Sequence, residues 1–587
     1  MKRFFLKNKK IIFLLSVFFI GFSLLIGWGK NNNSSISKGN PILIPTNIMD
    51  KNKLADNLNL YKEEDRFKVY EVYLTVYTGL DSKSGIEFDF SSLNEIEGRE
   101  FDPELKANIF VIDLETGEVI AGEQNNSIPN ATIELRGQSA RNYPQKSYKI
   151  NFSKQTRLFQ GQRKLNLNKH ISDDTRIIQK FAFDSMIGLP NFTSIRTNFM
   201  NVKIKDGTKE KSEYVDYGLF THIENVDNDY LTVRSLNENA TFLKPVDFAF
   251  TLEEAQQVQS KVNAEFILRD VNQPGEDKLL KMVSAINEKG TTFDANFKQY
   301  FDRDNYLTWI ALNLLLNNYD TMSRNFLLYS PSNVNKWYFL PWDYDVSMIH
   351  PSEWESSEYS KWFGLQRYWG VSLHRKFFQN PENLMDLNKK IDILYQRLLA
   401  DSLEERVEKY AEIYEKYVIN SEIDRLYLEN EKRINLIDTM GKIRGIRDIL
   451  TYNYETYYDR LEAPMPFYLY DITNKSNIIK MNWEDAVDLQ NDIITYKISI
   501  FTNPDEPLKS QVWSAQTEAV YVEARNIELE DGVYYWQVVA SDDEGHEQVS
   551  FDRCEVGPGY KKLVRFGMKK FTLENNVIKE VANNGVE

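Results

Sequence analysis

Hydrophobic and polar positions change period several times along the chain. From Val69 the run VYEVYLTVYTGL alternates apolar and polar residues, the period of a half-buried strand. ANIFVIDLETGEVIAG repeats the pattern on either side of Glu115 to Gly117 and predicts a hairpin. The region to about residue 245 therefore reads as strand-rich, with one amphipathic helix at 175–189 closed by Gly188 and Pro190. Residues 251–290 are helical and charged, a solvated face. Asp302 or Asp304 then caps a helix whose apolar residues, from Tyr306 and Trp309 to Leu316, cover nearly every side, which predicts burial. Phe326 to Tyr329 and Trp337 to Leu340 read as two short strands joined by the turn-rich SPSNVN. Residues 373–461 return to helical spacing.

Beyond Pro464 strand alternation resumes. Trp483, Tyr496 and Trp536 occupy positions resembling a fibronectin type III sandwich over 463–560, followed by a tail at 561–587 with two strand-like pieces. At the other end, residues 1–10 carry five positive charges and 11–29 form an uncharged apolar run of 19. That run suffices to cross a bilayer with its basic side cytoplasmic. No A-x-A cleavage site follows and no cysteine offers lipid attachment, so 1–30 reads as an uncleaved signal-anchor and 31–62 as a polar tether. The expected location is a single-pass membrane protein with its bulk extracytoplasmic, or a secreted one if the signal is cut.

Length and charge narrow the function. The 587 residues imply two or three domains. Net charge is -15, and the six basic residues of 1–30 leave the remainder more acidic still, a surface that repels nucleic acid. Cys554 is the single cysteine, so an intramolecular disulfide is excluded; the five histidines are scattered without zinc-ligand spacing.

The chemistry concentrates on Asp320, Asn325 and Asp343. The buried helix delivers Asp320 to a fixed point, and the hairpin brings Asp343 back towards Asn325. Protein kinases use this logic: one aspartate orients the acceptor hydroxyl, an asparagine five residues on binds metal, and an aspartate after a hairpin binds the metals bridging the phosphates. The His-Arg before the first aspartate and the Phe-Gly after the second are absent, which excludes an ordinary kinase. Asp343-Tyr344-Asp345 is also a D-x-D, the motif with which nucleotide-sugar glycosyltransferases hold Mn²⁺, although no Rossmann-type alternation accompanies it.

Three ordered segments sharpen the reading. RGQSARNYPQKSYKINF at 136–152, DYGLFTHIENVDNDYL at 216–231, and NFLLY with KWYFLPWDYDVS at 325–347 resemble the signature regions of the spore-coat protein H (CotH) kinase family. The resemblance implies an α+β, atypical kinase-like fold over 63–462, with a strand-rich N-lobe and a helical C-lobe. It implies Asp320 as the base or orienting carboxylate, and Asp343 with Asn325, and Asp345 beside them, as metal ligands. Lys146 would pair with ATP phosphates, Trp337 would offer a face to adenine, and Arg136 and Gly137 would lie close to the nucleotide. Lys149 falls three residues past Lys146, so only one of the two lysines can point inward.

Two further segments have paired readings. Glu224 either contacts the nucleotide or a lysine, or is an exposed strand-end residue. The aromatics of 351–370 form either an acceptor surface or a cluster beneath a long loop. The expected function is an extracytoplasmic, membrane-tethered atypical protein kinase, using ATP with Mg²⁺ or Mn²⁺ on Ser or Thr of a surface or coat protein. The alternatives are a non-catalytic scaffold or adhesin on a kinase-like fold, and a D-x-D glycosyltransferase.

Overall fold

The computed structural model describes residues 53–580 apart from 63–65, 125–127, 262–267, 271–275, 290–292, 401, 476–477, 526, 528, 557–562 and 576. The apolar run at 11–29 lies outside the described residues, among which no helix is long and apolar enough to cross a membrane. Packing begins earlier than a tether to residue 62 implies. Leu54 is buried, and Asp56 pairs with Arg234 at 3.0 Å.

The alternating segments close into a barrel. Its sheet contains β1 (Val69–Leu80), β2 (Glu87–Phe88), β3 (Glu104–Asp113), β4 (Val119–Gly122), β5 (Ala131–Arg136), β6 (Ser147–Phe152), β7 (Lys164–Asn168), β8 (Thr197–Asp206) and β9 (Val215–Ile223). The order β1-β8-β9-β7-β6-β5-β3 returns to β1 through a second pairing, and β2 and β4 extend the sheet outside the ring. Closure removes the edges an open sheet must protect. The period of two selects the lining: Val72, Leu74 and Val76 of β1, Ile133 and Leu135 of β5, Tyr148 and Ile150 of β6, and Val202 of β8 share one core.

Part of the outer surface is buried as well. Val69, Phe199, Leu219 and Ile223 face the larger core of the helical half, together with helix α1 (Ile178–Met186). All nine residues of α1 are buried, although its spacing predicts a wet face. The polar residues of that face are satisfied internally. Lys180 pairs with Asp184 at 3.0 Å, and Asp184 also accepts a hydrogen bond from Tyr410. A second tie crosses the halves where Asp424 meets Lys169 at 2.8 Å and accepts the Leu219 amide at 2.8 Å. Gly218 (φ 76°) has to be glycine there, because a Cβ would lie 2.0 Å from the Asp424 carboxylate.

Glu224 fits neither sequence reading. It is 2% exposed and bridges Arg196 at 2.5 Å and Arg234 at 2.7 Å, a buried network that fastens β9 to the residues before β8 and to Asp56.

Helix α2 (Arg303–Leu315) is capped by Asp302, whose side chain accepts the Asn305 amide at 3.0 Å. It lies against a small sheet of β10 (Thr241–Pro245), β11 (Leu268–Asp270), β12 (Phe326–Ser330) and β13 (Tyr338–Pro341), in the order β11-β10-β12-β13. β12 and β13 are the predicted hairpin, in register from Phe326↔Pro341 to Tyr329↔Tyr338. Helices α3 (Pro381–Leu398) and α4 (Ile446–Leu461) pack on α2 from the other side, and Asn453 of α4 donates to the Leu315 carbonyl at 2.9 Å.

Residues 467–580 form a sandwich. A three-stranded sheet (473–475, 478–482, 521–525) and a six-stranded sheet centred on Thr495–Phe501 and Gly532–Ser541 enclose Trp483, Tyr496 and Trp536. The stretch read as a tail is part of it: Lys569–Glu574 pairs with Gly532–Trp536, and Phe571 and Leu573 are core residues.

The aromatics of 351–370 mostly face inward rather than offering an acceptor surface. Trp354, Trp362, Phe363, Tyr368 and Trp369 are buried, and Tyr359 is exposed. Trp362 sits 5.3 Å from Phe551 and 5.0 Å from Phe566, so this loop docks the sandwich on the helical half.

Two outcomes are expected. Glu224→Gln strips two buried arginines of their shared charge and lowers unfolding free energy by about 3–5 kcal/mol, read as an earlier urea midpoint. Burial pushes the Glu224 carboxyl up, but Arg234 and Arg196 together pull it down to about 2 from an ordinary 4.5. Its stabilisation is therefore complete above pH 4.5 and lost as pH falls towards 2, so the gap between parent and variant narrows over that window. Trp362→Ala empties the docking contact at a cost of about 3–5 kcal/mol, and limited proteolysis between residues 462 and 467 releases the sandwich sooner.

Candidate active site

The site is built where α2 ends and the hairpin returns. Asn305 binds both backbone groups of Phe339: its Oδ1 accepts the amide at 2.7 Å and its Nδ2 donates to the carbonyl at 3.1 Å. Past the end of α2, Asn318 Nδ2 donates to the Asp343 carbonyl at 3.1 Å, and the Met348 amide donates to the Leu316 carbonyl at 2.7 Å. Helix and hairpin are thus fixed to each other on both sides of Asp320 and Asp343.

Asn325 Nδ2 donates to the Asp320 carbonyl at 2.9 Å and to its Oδ2 at 2.7 Å. Both Asn325 (φ 57°) and Asp343 (φ 59°) hold left-handed backbone, which asparagine and aspartate tolerate better than most residues. Burial raises the Asp320 carboxyl, Arg324 opposes this, and the Asp343 charge adds to the rise, leaving it at about 6. Asp345 is pushed well above the carboxylate range by burial first, then by the charge of Asp343 and a hydrogen bond with it. Two carboxyls crowded together repel each other, and a cation between them relieves that repulsion.

The walls come from the barrel and α1. Gln179 of α1 donates to Asp343 Oδ1 at 3.1 Å. Arg136, at the end of β5, is lowered to about 10 by burial, against the pull of Asp343 and Asp345. Its guanidinium lies 5.9 Å from the Trp342 ring centroid, with Lys244 at 4.7 Å from the same ring. Next to Arg136, Gly137 takes φ 90°.

Two sequence assignments are corrected. Trp337 is completely buried in the core and has no open face for adenine. Its backbone instead anchors the hairpin to the start of α2, donating to Tyr300 and accepting from Asp302. Lys146 donates to the carbonyls of Ile96 and Arg141. Burial lowers the pKa of its amine, with Glu97 opposing and Arg141 adding to the fall. Alternation in β6 turns Tyr148 and Ile150 into the barrel, which leaves Lys149 on the outer face, paired with Glu134 at 2.7 Å. Glu134 and Arg136 are two apart on β5, so Lys149 shares the face of Arg136.

Gln179 and Lys244 escaped sequence reasoning. Neither sits in a motif, and only the packing of α1 and β10 brings them to the site. Trp342 had a visible signal, its place directly before Asp343.

The arrangement offers three carboxylates and an amide oxygen, the donors a hard divalent cation prefers, with an arginine beside them. Such a set suits phosphate oxygens bridged by Mg²⁺ or Mn²⁺. Among the described residues, the three aspartates here do not form a ready cluster with all ligand oxygens within 4.8 Å; that geometry occurs elsewhere, in the sandwich.

Among solved structures, the chain is similar to the Helicobacter pylori proinflammatory kinase CtkA at 10% identity, over 57% of this chain and 95% of that one, with a TM-score of 0.21. The twitchin kinase region from C. elegans is similar at 8% identity over 84% and 93%, with a TM-score of 0.17. No curated protein matches the chain. The family model described as CotH kinase protein matches residues 133–448, from β5 with Arg136 through both aspartates of the hairpin site and into α4. With more than half of its length matched to that model, the chain belongs to the CotH kinase family.

Proposed function

We propose that this kinase transfers the γ-phosphoryl group of ATP to a serine or threonine hydroxyl of a cell-surface or coat protein, on the outer side of a membrane to which residues 11–29 anchor it. The observation that carries the reading is the Asn325 hydrogen bond to Asp320 beside the Asp343–Asp345 pair. Asn325 occupies Asp320 Oδ2, which leaves Oδ1 to accept the acceptor hydroxyl and aim its oxygen at the phosphorus. A Mg²⁺ or Mn²⁺ ion held by Asp343, Asp345 and the Asn325 amide oxygen would neutralise phosphate charge. Arg136 and Lys149, projecting from neighbouring strands on one face, supply the cationic wall for the phosphates. Gln179 fixes the rotamer of Asp343 from behind. The basic leader before the apolar run supports the anchored, extracytoplasmic placement.

Phosphate incorporation from γ-labelled ATP tests this with residues 31–587. Asp320→Asn is expected to lower turnover about 10²- to 10⁴-fold while nucleotide binding persists. Asp343→Asn is expected to lose both turnover and metal-dependent nucleotide binding. Label that persists in both variants sinks the assignment. A second comparison separates the lysines: Lys149→Ala weakens nucleotide binding about tenfold, the scale of one lost charge contact. Lys146→Ala instead lowers thermal stability, because the carbonyls of Ile96 and Arg141 lose their donor.

A further inference from the structure

Asp488, Asp492 and Asp542 of the sandwich each bring a carboxylate oxygen within 4.8 Å of the others. The fold forces this meeting. Asp488 and Asp492 lie in the loop entering Thr495–Phe501, Asp542 follows Gly532–Ser541, and those strands pair with Thr495 opposite Ser541. Asp488 and Asp542 are buried, at 8% and 7% exposure. Among the described residues no lysine or arginine pairs with any of the three.

Asp488 supplies a second, separate observation. Its Oδ1 accepts the Gln490 and Asp492 amides at 2.8 and 3.0 Å, but its Oδ2 is buried with no hydrogen-bond partner. An unpartnered carboxylate oxygen in the interior is costly and calls for a compensating group. The oxygens of Asp542 are differently engaged: Oδ1 accepts the Glu544 and His546 amides, and Oδ2 accepts from His546 Nδ1 at 2.8 Å. Oδ2, with one donor, retains a lone pair.

We propose that Asp488, Asp492 and Asp542 bind a divalent cation of the calcium class, with Asp488 Oδ2 as its buried ligand. Donors that are all oxygen and come from two loops suit calcium, which accepts six to eight oxygens in flexible geometry and takes the rest from carbonyls and water. Zinc prefers nitrogen and sulfur, and magnesium demands a stricter octahedron. The position gives the ion a structural effect. Val487 and Leu489, on either side of Asp488, pack against the core of the helical half, and the Val487 carbonyl accepts the Met465 amide at 2.8 Å. Ordering this loop therefore stiffens the joint between the kinase body and the sandwich.

The test titrates calcium chloride into the chelator-treated chain of residues 31–587, by calorimetry and by thermal unfolding. One ion per chain is expected to bind at this site, and Tm is expected to rise by about 5 °C when calcium exceeds its Kd a hundredfold. Asp492→Asn should weaken that binding at least tenfold while matching the parent Tm in EDTA. Asp488→Asn, which keeps the Oδ1 acceptor, repeats the measurement should the first variant fold poorly. Asp343→Asn should retain the calcium response in full, which separates this site from the candidate active site. Absence of a calcium response, an equal response in both sandwich variants, or an equal response to magnesium overturns the proposal.

Discussion

The double hydrogen bond between Asn305 and the backbone of Phe339 is the constraint on which the rest of the kinase body depends. An amide side chain buried inside a helix is costly unless both its donor and its acceptor are met. Here the unmet backbone of β13 meets them, so the helix and the hairpin are positioned as one piece. Asp320 and Asp343 then inherit fixed places without being held by each other. That separation matters in a site where three carboxylates repel: the scaffold carries the strain and the acids remain available for a cation. Removing Asn305 would leave three backbone groups, two on Phe339 and the Asn191 carbonyl, without their partner, and one cavity within a core of aromatic rings.

A comparable economy governs the barrel. A ring of seven strands has no spare edge, so what it contributes to the candidate site comes from its outer face, where Arg136 projects at the end of β5. Lys169 and Asp424 pin the ring to the helical half at one point, and the Glu224 network pins it at another. Both pins are buried ion pairs, in which loss of either partner leaves an uncompensated charge in the interior.

Strand period, the buried helix and the hairpin were legible in the sequence because each writes a local pattern. The pairing of β12 with β13 and the burial of α2 follow from that pattern, although the second strand starts at Tyr338 rather than Trp337. What lay hidden was long-range. Closure of β1 onto both β3 and β8 leaves no mark on β1 itself. The burial of α1 on all sides required Asp184 to find Tyr410, more than two hundred residues away. Trp337 misled because an aromatic on a strand looks the same whether it faces a ligand or a core. Lys146 misled for a related reason: it lies just before β6, where its direction is set by the 139–142 turn rather than by alternation. The residues taken as a tail joined the sandwich because an unpaired edge of Gly532–Ser541 was waiting for them.

That last pairing sets an order of events during synthesis. Strand Lys569–Glu574 lies between Gly532–Ser541 and Val577–Glu580 in its sheet, and Phe566 packs edge-to-face on Trp362 just before it. A chain that has left the ribosome only up to about residue 550 holds every residue of the kinase body, with its aromatic docking loop uncovered and an open sheet edge alongside. Both are sticky surfaces, and both are sheathed together by the same short stretch. The interval before that stretch emerges is when a chaperone has most to protect.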